Sequence, residues 1–115
     1  MLAITLSSAL ALSLQAAPAP NLTLQQRTSM RCAAAFAIVA QGQQAGNRQA
    51  LAFPALGNRG KEFFVRASAQ VMDETGLSRE QVSAVLSAEA QALWDGQLTE
   101  QVMPACLSLL DASGL

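Results

Sequence analysis

Three groups of side chains in this 115-residue sequence carry reactive or binding chemistry. They are Cys32 with Cys106, Glu89 with the arginines able to reach it, and the basic and aromatic residues from Arg48 to Phe63. The two cysteines lie near opposite ends of the chain and lack the Cys-x-x-C spacing of a redox-active pair. Each is centred on the apolar face of its own helical stretch, which predicts sulfurs pointing into a common interior. In an oxidising compartment such a pair closes into a disulfide, contributing roughly 4 kcal/mol over a loop of this length in the chain-entropy model. In a reducing compartment the same residues would pack as small buried thiols.

Glu89 interrupts an otherwise apolar stripe formed by Val82, Val85, Leu86 and Leu93. A carboxylate at such a position must find a cation or hydrogen-bond donors, or give up its charge. Arg31 and Arg66 are the candidate partners, predicting a buried ion pair. The functional alternative is a carboxylate lining a pocket between helices. The third group predicts a surface for an anionic partner, built from Arg48, Arg59 and Lys61 with the exposed parts of Phe53 and Phe63. Gly57-Asn58-Arg59-Gly60-Lys61 resembles the end of a phosphate-binding loop, with Ala55 where the first glycine belongs and Glu62 where a magnesium-holding hydroxyl belongs.

No catalytic residue is assigned. The chain contains no histidine, which removes the ready general base of neutral pH, the Ser-His and Cys-His pairs and the usual zinc sets. No metal or cofactor is expected.

These side chains have to be positioned by helices. Hydrophobic residues make up 51% of the chain and aromatics 4%, with alanine and leucine supplying the core, a balance that favours helix over sheet. Thr23 and Gln26 form a capping box for a first helix reaching about Gln44, apolar at every position from Cys32 to Ala40 and therefore destined for the centre. Thr28, Cys32, Ala35, Phe36 and Val39 share one side of it. Residues 45–60 have no clear period and predict an ordered loop with one helical turn. A second helix is expected from Lys61 to Thr75, with Phe64, Ala67, Val71 and Met72 inward, Phe63 at the border and Gly76 as a left-handed cap. Ser78 with Gln81 caps a third helix, Arg79 to about Trp94, stopped by Gly96. Thr99 caps a fourth reaching about Ala112, with Leu98, Val102, Cys106, Leu109 and Leu110 inward and Pro104 near its first turn. The expected fold is all-α, a small bundle of about four helices with a disulfide joining the first and last.

Met1 to Ala17 carries no charged side chain and ends in small residues before Pro18 and Pro20, the outline of a secretory signal peptide. Residues 1–19 are read as that leader and 20–115 as one helical domain, periplasmic or secreted. The apolar run is too short for a permanent membrane span, which needs about 20 residues.

Net charge is −1, so no global attraction to nucleic acid or membrane follows. Its distribution is uneven. From Arg27 to Arg66 six bases oppose Glu62 alone, while from Asp73 onward seven acids oppose Arg79 alone. The simplest reading is that the two halves face each other.

The stretch Val71 to Leu86 resembles the helix-turn-helix of bacterial transcription regulators, with Gly76, Leu77 and Ser78 at the turn and Val82, Val85 and Leu86 on the following helix. That resemblance implies a cytoplasmic DNA-binding regulator. Arg79 is the sole base on the would-be reading helix, beside Glu80 and Glu89, whereas phosphate contact wants several cations. The residues favour an exported protein that binds another envelope protein or a small anionic ligand, without nucleic acid and without catalysis.

Overall fold

A computed structural model describes residues 20–115; the leader reading at 1–19 lies outside the described residues. The described chain is all-helical, with α1 at Leu24–Gln44, α2 at Arg48–Leu51, α3 at Arg59–Thr75, α4 at Arg79–Asp95 and α5 at Thr99–Ala112. The short α2 is the helical turn expected within the 45–60 loop.

Helix α1 is the hub, packing against each of the other four helices. Its composition explains the placement. Met30, Cys32, Ala33, Ala34, Ala35, Phe36 and Val39 are all buried, and a run of small side chains lets neighbours approach from several directions. Thr28 is exposed, so the inner face begins at Met30, two residues later than the predicted stripe. The Thr23/Gln26 capping box is formed in both directions, as is that of Ser78 and Gln81 on α4.

Where α3 crosses α1 the approach is close. A Cβ on buried Gly60 would lie 3.2 Å from that of Phe36 and 3.3 Å from that of Leu56. The inner face of α3 is Gly60, Phe63, Ala67 and Val71, with Phe64 and Met72 half-buried. It is therefore turned one residue from the predicted face. Phe63, expected at the border, is buried and stands edge-on to Phe36 with ring centroids 5.1 Å apart.

Helix α4 buries Val82, Leu86 and Leu93, as its period indicates. It ends in a turn in which the Leu98 amide donates to the Leu93 carbonyl at 2.9 Å. Gln97, not Gly96, occupies the left-handed position, at φ 51°. Gly96 serves a different need, because a Cβ there would meet Leu98 Cγ at 2.9 Å. The chain passes directly from this turn into α5, with Leu98 as the capping residue, so Thr99 is the first helical residue and not the cap. Pro104 lies beyond the first turn on an exposed face, where its missing amide removes the bond to the carbonyl of Glu100, itself an exposed residue. Met103 joins Cys106 and Leu110 on the buried side, while Leu98, Val102 and Leu109 are half-buried.

Candidate functional site

The cysteines meet at the centre of the bundle. Cys32 and Cys106 are 3% and 2% exposed, their Cα atoms are 5.2 Å apart and their sulfurs are bonded, joining α1 to α5 across 74 residues. The helix phases do this: Cys32 lies on the hub helix and Cys106 one turn from buried Met103 and Leu110 on α5.

Among the described residues Glu89 pairs with Arg31 alone. Its carboxylate accepts from Arg31 Nε at 3.2 Å, with the two side chains 16% and 47% exposed, so the pair is a strut along the edge of the α1–α4 seam and not a buried ion pair. Arg66 is exposed on α3 and borders a shallow hollow with Asn58, Lys61, Glu62 and Val65, away from Glu89. The second ion pair among the described residues joins Arg59 to Asp111 at 2.7 Å. Both pairs connect the basic half of the chain to the acidic half.

The five residues expected to form one anion-binding surface are dispersed. Arg48 is exposed on α2 and Lys61 on α3. Arg59 is occupied: beyond Asp111, its Nε donates to the Leu115 main-chain oxygen at 2.9 Å, tying the start of α3 to the residues after α5. Phe63 is buried against Phe36. Phe53 alone lines a larger concavity, half-buried in the loop after α2.

That concavity is a groove of about 770 Å³ between the end of α1, the α2 loop and the α4–α5 turn. Ile38, Val39, Ala50 and Leu93 make its apolar floor, and Phe53 and Trp94 border it. Four side-chain amides, Gln41, Asn47, Gln49 and Gln97, also line it, and Glu100 is its single titratable lining group among the described residues. Trp94, the sole tryptophan, is 72% exposed. Most large aromatic side chains are buried on folding, so one held on the lip of a groove offers rigid contact area to something else.

The groove depends on a residue that the sequence did not mark. Gln43, in the last turn of α1, donates from Nε2 to the carbonyl oxygens of Ala50 (3.0 Å), Phe53 (3.3 Å) and Pro54 (2.9 Å), while its Oε1 accepts from the Leu56 amide at 3.0 Å. One amide side chain thus supplies the hydrogen bonds that an irregular loop cannot make to itself. For Trp94 a signal did exist. It follows Leu93 by one residue and so falls about 100° off the stripe that α4 buries.

Among the described residues no three His, Cys, Asp or Glu side chains converge as a metal site requires, and no helix is long and apolar enough to cross a membrane. Compared with protein-family models, curated proteins and solved structures, the chain matches none.

Proposed function

We propose that this chain is a small exported protein, periplasmic or secreted, whose helical domain acts by binding a protein or ligand and not by catalysis. The observation that carries the reading is the Cys32–Cys106 bond at the centre of the bundle, since such clasps form and persist in oxidising compartments and stabilise domains of this size. Residues 1–17, uncharged and followed by Pro18 and Pro20, agree with it. Support for binding comes from the exposed Trp94 beside the groove; support against catalysis comes from a sequence with no histidine.

The regulator alternative has the α3–α4 corner in its favour, where Gly76 turns the chain at φ 73°. It has less support from charge. Arg79 is accompanied on α4 by exposed Glu80 and Asp95, and Glu89 is already paired with Arg31. Expression of the full chain in a bacterial host, followed by osmotic-shock fractionation, tests the proposal. Release of the chain with the periplasmic fraction is expected. Retention in the cytosol, together with retardation of DNA in a low-salt gel shift, would replace export with regulation.

A further inference from the structure

We infer that the groove beside Trp94 takes a short peptide segment pairing an apolar residue with an arginine or lysine. The inference rests on the binding reading above and specifies its ligand.

Charge complementarity is the first argument. Glu100 is the lone titratable lining group among the described residues, and exposed Asp95 follows Trp94 directly. Helices α1 and α4 both finish at this place, at Gln44 and Asp95, with no basic residue in either last turn, so two negative dipole ends remain uncompensated by side chains. The opposing positive end, that of α5, carries Glu100 in its own first turn. Arg48, the nearest cation in sequence, is flanked by lining residues without lining the groove itself. A cationic group also finds an aromatic partner in Trp94.

The amides supply the second argument. Gln41, Asn47, Gln49 and Gln97 each present both a donor and an acceptor, which matches a peptide main chain carrying both. A volume of about 770 Å³ lies within the range of small-ligand sites and accommodates a few residues, not a folded domain.

The experiment uses the oxidised domain and three capped pentapeptides, Leu-Xaa-Leu-Xaa-Leu with Xaa arginine, glutamine or glutamate. Because Trp94 is the sole tryptophan, its fluorescence reports the groove directly. Saturable change with the arginine peptide is expected, about tenfold weaker with glutamine and absent with glutamate. Glu100→Gln should weaken the arginine peptide two- to fivefold. Ala45→Arg, placed at the exposed end of α1 within the groove, should abolish binding while leaving helical circular dichroism unchanged. Equal response to all three peptides, or no response to any at millimolar concentration, overturns the inference. Either result leaves the exported-binder reading to its own test by fractionation.

Discussion

Replacing both cysteines by alanine should lower the melting temperature of the domain by about 20 °C or more. The bond closes a loop with a sequence separation of 74. In the chain-entropy model a cross-link of that span removes about 15 cal/mol/K from the unfolded chain, or about 4.5 kcal/mol at 25 °C. The domain described here has 96 residues, for which the entropy of unfolding is roughly 0.2 kcal/mol/K. Dividing one by the other gives a drop of about 20 °C. Loss of two buried sulfurs from the packed centre adds to that. Two measurements separate the contributions. Calorimetry of parent and double variant gives the shift, and urea titration gives the m-value, which should rise because an uncrosslinked chain exposes more surface when it unfolds. A double variant melting within 5 °C of the parent would refute the reasoning. An unchanged m-value with a large shift would assign the effect to packing and not to the unfolded chain.

Three further outcomes follow from the geometry. Gln43→Leu should cost about 2–3 kcal/mol, because it leaves the Leu56 amide and the loop carbonyls without partners. Hydrogen exchange should show the Leu56 amide losing protection ahead of the α1 core. Gly42→Ala should destabilise by about 1–3 kcal/mol, since the new Cβ would lie 2.8 Å from that of Ala50, whereas Gly57→Ala, with open space around it, should be near neutral in the same urea titration. Arg59→Ala should lower the melting temperature by about 5 °C, the effect of roughly 1 kcal/mol from a half-exposed pair and its main-chain bonds, and Lys61→Ala should leave it within about 2 °C. Equal effects of these last two would remove the structural role assigned to Arg59.

What could be read from the sequence was short-range or unambiguous in period. The hub helix announced itself because nine consecutive apolar positions favour burial on most sides, Ala37 alone of them being exposed, and both capping boxes join residues only three apart. The cysteines were legible for the same reason, each being centred on an apolar face. Period failed where two apolar residues are adjacent. Phe63 and Phe64 differ by about 100° on a helix, and the choice between them was made by the edge-on contact of Phe63 with Phe36 on another helix, which only packing reveals. The Thr99 cap failed because the turn ending α4 runs straight into α5 and leaves no extended residue ahead of it. Arg59 read as a free surface cation because its partners lie 52 and 56 residues away. The groove was hidden for a related reason, being assembled from three separated segments, one of them a loop pinned by Gln43.

Export is proposed on the strength of the sulfur clasp, and one mass spectrum reads both. Intact-mass analysis of the protein purified from cells without reductant should give a chain shortened at its amino terminus near residue 19 and lighter by two hydrogens than the fully reduced form. A full-length chain with both thiols free would contradict the account.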